Sequence, residues 1–337
     1  MSLRVLVAPD KFRGTLAASD AADRMCAAAT HHGDRAVAIP LADGGEGTVA
    51  VFGGPTRWTS VIGPLGEIID APWRLDGEFA VIEIAAASGL AIVGDATQND
   101  PVAATTRGTG ELIARAIDDG ARHVIVGLGG SATTDGGIGA LEVLSPYAPL
   151  GGIGASVAVE VACDVRTRFI DAAREFAPQK GADPQQVELL RARLIATARD
   201  LRERWGVDVT TLDGSGAAGG LAGGLAALGA QLRSGFGLVA ELLGLEEAIL
   251  EADLVVTGEG RVDATSFEGK VVGGVLELAA RHGVPALVIA GAIAGPLPGA
   301  VASVDLSERF GAAASLSDTG ALVEKAMFQY LSSGPPR

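Results

Sequence analysis

Cysteine and histidine are scarce in this chain, with two and four copies among 337 residues, and that scarcity argues against several chemistries at once. Cys26 and Cys163 sit in apolar segments without pairing or metal spacing, and the histidines lack the helical two-ligand spacing of zinc enzymes. Neither a disulfide scaffold nor a zinc centre is expected. Positive charge is in deficit: 26 Lys and Arg against 41 Asp and Glu leave a net charge of −15, which speaks against nucleic acid and anionic membranes as partners. No apolar run reaches the roughly 18 residues of a membrane span. The apolar stretch Val5 to Ala8 is too short for a secretory signal and runs straight into Asp10 and Lys11, so a cytoplasmic location is expected. A Walker A loop is missing, since Glu268-Gly269-Lys270 is followed by Val271 and lacks the earlier glycine, and no GxSxG elbow occurs.

Glycine is abundant instead, at 48 residues, about twice the usual share. Strand-like and helix-like runs alternate. Strands are predicted at 3–8, 36–39, 79–85, 123–127, 156–163, 253–257 and 286–290, and helices at 15–30, 110–119, 184–205, 271–282 and 318–332, which is α/β patterning. The length suits two domains of ordinary size. The Gly/Ala-rich run 214–230 reads as a helix packed through its glycines, and the end, 332–337, has the composition of a frayed terminus.

The segment GLGGSATTDGG, 127–137, follows a buried strand and combines glycines, hydroxyls and one carboxylate. Such a turn exposes main-chain N–H groups to a phosphate, with Gly129, Gly130, Ser131 and Gly136 as the contacts and Asp135 as nucleotide or metal ligand. A tight turn needing positive φ would use the same glycines. Both this segment and GSGAAG, 214–219, match dinucleotide fingerprints formally, but neither has an acid about 20 positions on for the ribose. Five more charged turns follow strand-like or glycine-rich stretches. APDKFRGT offers Asp10, Lys11 and Arg13; LADGGEGT offers Asp43 and Glu46, as metal ligands or an ordinary Asp-Gly turn. Arg107 precedes a helix start in TTRGTGEL. Asp164 closes a strand and Lys180 lies in FAPQKGA, so the pair could face one cleft or form a surface ion pair. TGEGRVDATSFEGK carries Glu259, Arg261, Asp263 and Lys270. Carboxylates, cations and glycine turns, without a cysteine or histidine nucleophile, suit phosphoryl transfer, which is mostly positioning and charge neutralisation.

In their order along the chain, APDKFRGT, LADGGEGT, IEIAAASGL, TTRGTGELI, GLGGSATTDGG, VACDV, FAPQKGA, GSGAAGGL and TGEGRVDATS closely resemble the motif series of the bacterial glycerate kinase family, the Walker-A-less type with two α/β domains. The resemblance implies a discontinuous Rossmann- or flavodoxin-like domain, 1–65 with 235–337, a second mixed α/β domain, 66–234, inserted in it, and an active site in the interdomain cleft. It implies ATP as phosphoryl donor, Mg2+ as cofactor, and D-glycerate as acceptor, with 2-phosphoglycerate as the favoured product, in glycerate or glyoxylate catabolism. A homodimer stays open. In this scheme Asp43, Asp164, Asp263 and Lys180 are the catalytic candidates, with Asp43 or Asp164 as base. Asp10, Lys11, Arg13, Arg107 and Arg261 bind substrate, Glu259 and Lys270 join the glycine loop on the nucleotide, and Asp43, Glu46 and Asp135 ligate metal. The chain departs from the family pattern in a shorter stretch at 140–160 and in RTRF after VACDV. Those departures keep two rivals alive: a kinase of another small hydroxy acid or polyol, and a non-catalytic binding protein of kinase descent.

Overall fold

A computed structural model describes residues 2–299 and 301–334. Its strands are β1 (Arg4–Val7), β2 (Arg35–Ala38), β3 (Arg57–Ile62), β4 (Ile68–Asp76), β5 (Phe79–Glu83), β6 (His123–Gly127) and β7 (Ala158–Ala162). They continue with β8 (Gln231–Arg233), β9 (Leu254–Thr257), β10 (Arg261–Val262), β11 (Ala286–Ala290), β12 (Ala292–Ile293) and β13 (Ala302–Asp305). The chain divides into two compact units, one of residues 1–43 with 236–337, the other of residues 44–235.

The first unit holds a parallel sheet in the order β13-β11-β9-β1-β2. Its strands are short apolar runs, as expected where both faces are covered. Leu287 and Ile289 of β11 point to the face that packs on Met25, Val323 and Met327, while Val288 and Ala290 point to Val272 and Leu276. From β1 the chain moves outward to β2, and the later strands add on the opposite side of β1, so the order reverses between β1 and β9. In open α/β sheets the carboxyl ends at such a reversal form the natural ligand crevice. Of the terminus expected to fray, residues 335–337 lie outside the described part, and the last helix runs Thr319–Ser332.

The second unit holds a mixed sheet, β3-β4-β5-β6-β7-β8, in which β3, β4 and β5 pair antiparallel and the rest parallel. The domain boundary expected at residue 65 therefore lies at 43–44, because β3 is laddered to β4 over its whole length. The hairpin was hidden in the sequence by Pro72 and by the charges of IIDAPWRLD, which blur the alternation of an edge pair. Trp73 anchors it, fully buried, with Nε1 donating to Thr59 Oγ1 at 2.9 Å. The helix Pro184–Trp205 keeps its expected bounds, opened by a reciprocal Asp183/Gln186 capping box and closed by Gly206 at φ 72°.

The Gly/Ala-rich run forms a turn at Ala217–Gly220 and a helix at Leu221–Ala227, and its glycines meet the main chain of 133–137. A Cβ on Gly219 would fall 2.1 Å from Thr133 O, and one on Gly224 2.9 Å from Gly136 O. Ala218, at φ 52°, holds a left-handed conformation that its Cβ disfavours. Opposite outcomes are expected from neighbouring substitutions. Ala218→Gly should stabilise by about 1 kcal/mol through relief of strain, and Gly219→Ala should cost more than about 2 kcal/mol, both read from urea unfolding midpoints.

Candidate functional site

In the second unit, β6 delivers the chain into the glycine loop. A Cβ on Gly127 would sit 2.7 Å from Gly44 O, and one on Gly129 2.7 Å from Gly45 Cα, so the loop lies main chain to main chain on the 44–46 turn. That turn is held in place by Glu83, whose Oε1 accepts from Gly47 N at 3.1 Å and Val49 N at 2.7 Å. Gly129 and Gly130 form the open tip, whereas Ser131, Thr133, Thr134 and Gly136 are buried. Among the described residues the tip's two N–H groups donate to no other part of the chain. Two open amides at a strand exit suit an anion.

Several expected site residues of this unit are held by neighbours within the fold. Asp135 organises the loop: Oδ2 accepts from Thr106 N at 2.9 Å, Thr106 Oγ1 at 2.8 Å and Gly139 N at 3.3 Å, and Oδ1 from Gly137 N at 3.0 Å. Lys180 is 3% exposed and lies beneath the loop, Nζ donating to Ser131 Oγ at 2.8 Å and Thr133 O at 2.6 Å, so it supports the residues that follow the tip. Burial pushes its ammonium down to about 7, against the pull of Asp135. Arg107 is exposed and engaged by Glu111 at 3.0 Å and Glu142 at 3.3 Å, which occupies the fork expected for substrate. Gly136 is likewise packed, a Cβ there meeting Leu194, Phe169 and Thr197 at 3.1 Å each. Asp164 Oδ1 accepts from Ser234 Oγ at 3.1 Å and Gly235 N at 2.7 Å, and Glu46 is exposed on its turn.

In the first unit, Asp10, Asp43 and Glu259 follow β1, β2 and β9 at the carboxyl ends of adjacent strands. Their loops are sewn together: Asp10 N donates to Gly258 O at 2.9 Å, and a Cβ on Gly260 would lie 3.0 Å from Arg13 N. Burial lifts the Asp10 carboxyl to about 7, with repulsion from Asp43 and Glu259 adding to it and the Lys11 amide and ammonium opposing. Burial also raises Glu259, against the Ser266 hydroxyl and Lys270, with Asp263 and Asp43 adding repulsion. Glu259 Oε1 is buried without a hydrogen-bond partner. Asp263 Oδ1 caps a turn by accepting from Thr265 N at 2.9 Å and Thr265 Oγ1 at 2.7 Å, and those bonds lower its pKa, which weakens it as a base. Arg13 and Arg261 are exposed and Lys11 and Lys270 half-buried around this cluster. Lys270 Nζ donates to Thr265 Oγ1 at 3.3 Å.

Sequence reasoning missed Glu83 and Asn99. Asn99 Nδ2 donates to Ala132 O at 3.0 Å and Lys180 O at 2.8 Å. Its Asn-Asp dipeptide reads as an ordinary turn, and only the tertiary contact marks it.

The order of motifs and the α/β fold agree with the comparisons. The family model described as Glycerate kinase family matches residues 5–147 and 152–330. Glycerate 2-kinase of Escherichia coli K12 is 39% identical over 332 residues, covering 86% of both chains. Glycerate kinase of Bacillus subtilis 168 is 37% identical, covering 86% of this chain and 85% of its own. A crystal structure assigned as glycerate kinase 2 from Salmonella typhimurium LT2 superposes with a TM-score of 0.84 at 35% identity, over 99% of this chain and 98% of that one. The chain is a kinase of the glycerate kinase family. The family match is interrupted at 148–151, inside the stretch where the chain was expected to be short.

The reassignment of Asp135 is testable by stability alone. Asp135→Ala should destabilise by about 3 kcal/mol, because several buried donors lose their acceptor. Addition of Mg2+ should shift the melting temperature of that variant and of the wild type by the same amount.

Proposed function

We propose that this protein transfers the γ-phosphoryl group of ATP to a hydroxyl of D-glycerate, giving 2-phosphoglycerate, in the cytoplasm and within glycerate or glyoxylate catabolism. The observation that carries the reading is Asp10, a carboxyl held near neutrality at the carboxyl end of a central parallel strand. A general base works best when its pKa lies near the working pH. Asp10, assigned to substrate binding in the sequence reading, is thus the better base, taking the proton of the acceptor hydroxyl, while Asp43, whose charge helps to raise it, stays as a supporting carboxylate. Lys11, Arg13 and Arg261 leave the same loops and supply the cations an anionic hydroxy acid requires. The Gly129–Gly130 tip supplies amide donors for nucleotide phosphates. The names of the curated relatives support the acceptor, and that of the Escherichia coli relative supports the 2-position.

Among the described residues no three His, Cys, Asp or Glu side chains converge as a complete metal site. The donor set of Asp43 and Glu259 nonetheless fits a Mg2+ that arrives with the nucleotide, since such an ion takes one or two carboxylates along with phosphates. The repulsion that raises Asp10 and Glu259, and the unpartnered Glu259 Oε1, are what a hard dication would relieve. Bound there, it would neutralise phosphate charge. No helix among the described residues is long and apolar enough to cross a membrane.

Coupled measurement of ADP release should show turnover with Mg-ATP and D-glycerate, with the product identified by phosphorus NMR. A folded sample that turns over no small hydroxy acid would remove the proposal. Because Asp10 acts when ionised, kcat should rise with pH through a midpoint that bound Mg2+ draws below that of the metal-free chain, and Asp10→Asn should lower it by a factor of about 100 or more. The sign for stability is opposite. A folded pKa above the unfolded value means that the contribution is full below the unfolded pKa and is lost as pH rises through about 7. Asp10→Asn should therefore melt higher than wild type at pH 8, and a lower melting temperature there would remove Asp10 as the strained base.

A further inference from the structure

We infer that Asn99 and Lys180 form a buried brace that sets the shape of the Gly129–Gly130 tip, and that both are positioning residues for nucleotide binding. The inference rests on the tip being the phosphate contact. Asn99 lies in the turn Asp95 to Asp100, which is tied down by its own carboxylates: Asp95 Oδ1 accepts from Thr97 N at 2.7 Å and Asp100 Oδ1 from Val102 N at 3.0 Å. From there its side-chain amide donates to two carbonyls of different segments, Ala132 of the glycine loop and Lys180 of the Pro178–Lys180 turn. Lys180 returns the connection, its Nζ reaching Ser131 Oγ and Thr133 O. Ser131 and Ala132 directly follow the tip, so three of these four hydrogen bonds fix the residues next to the two open amides and the fourth ties Asn99 to Lys180.

The arrangement is built with little slack. A Cβ on Gly181 would lie 2.1 Å from Ala96 O, so the turn bearing Asn99 and the turn bearing Lys180 touch through main chain. Ala132 N also donates to Ser88 O at 2.9 Å and Leu90 N to Gly130 O at 2.8 Å, which ties the loop to residues 88–90. Several polar atoms here are buried at a cost: Asn99 Oδ1 and the hydroxyls of Thr133 and Thr134 have no hydrogen-bond partner among the described residues. Buried polar groups that are not fully satisfied stabilise less than apolar side chains of the same shape. Stability alone gives no reason for an amide and an ammonium at this place. Geometry of the tip does, because an aliphatic pair could fill the space but could not hold three specific atoms of the loop.

The test uses the full chain and two substitutions, Asn99→Leu and Lys180→Met, with Lys180→Arg as the conservative rescue. Melting temperature, ADP binding by calorimetry, and KM for ATP and for D-glycerate would be measured, with hydrogen exchange across residues 128–140. The expected result is a tenfold or larger loss of ADP affinity, a parallel rise in KM for ATP, KM for D-glycerate within twofold of wild type, and faster exchange at Ser131 to Thr134. Lys180→Arg should recover at least part of the affinity. Unchanged ADP affinity and loop exchange in either variant that folds would overturn the brace while leaving the kinase reading intact. A wild-type chain that binds no ADP would overturn both. If Asn99→Leu does not fold, Lys180→Met with its rescue decides the matter by the same readouts.

Discussion

Main chain packed directly against main chain is the constraint on which the rest of this molecule depends. Gly129 on Gly45, Gly219 on Thr133, Gly258 on Ile289 and Gly291 on Gly260 are contacts that a single methyl group would prevent. Each brings a loop at the end of a strand closer to its neighbour than side chains allow. The chain's high glycine content is therefore a packing requirement before it is a binding one. Two compact units result, and their strand-exit loops pack closely with both cysteines free and few aromatic residues.

Such loops can carry charge in places where charge is costly. Asp10, Asp43 and Glu259 share one end of the first sheet, and burial and mutual repulsion raise the first and last of them. The fold tolerates that cost because the loops bearing Asp10 and Glu259 are tied to each other by backbone hydrogen bonds and cannot spread to relieve it. Strain of this kind supplies a base near neutrality and a place for positive charge in an otherwise acidic protein. In the second unit Asp135 shows the contrary arrangement, a carboxylate saturated by donors and spent on shape.

Much of the architecture was legible. The strands β6 and β11 and the helix Pro184–Trp205 keep their expected ends, because continuous apolar runs, a capping box and a terminal glycine are local signals. The β3–β4 hairpin was not, since an edge pair with a proline and alternating charges carries a weak local pattern, and its absence shifted the domain boundary. The charged turns were found because glycine and charge beside a strand are visible in one dimension. Their roles were not, because Asp135, Lys180, Arg107 and Asp263 are each defined by partners far along the chain or by a cap geometry that type and position do not reveal.

The amino-acid sequence by itself determined the α/β class, the family, and the set of polar residues from which any site must be drawn, since these follow from periodicity, composition and the order of motifs. Tertiary structure alone decided which of those residues are spent on holding the fold and which remain open to a ligand. The physical reason is that a carboxylate or an ammonium takes its function from desolvation and from its hydrogen-bond partners, and both are set by segments that meet only when the chain has folded.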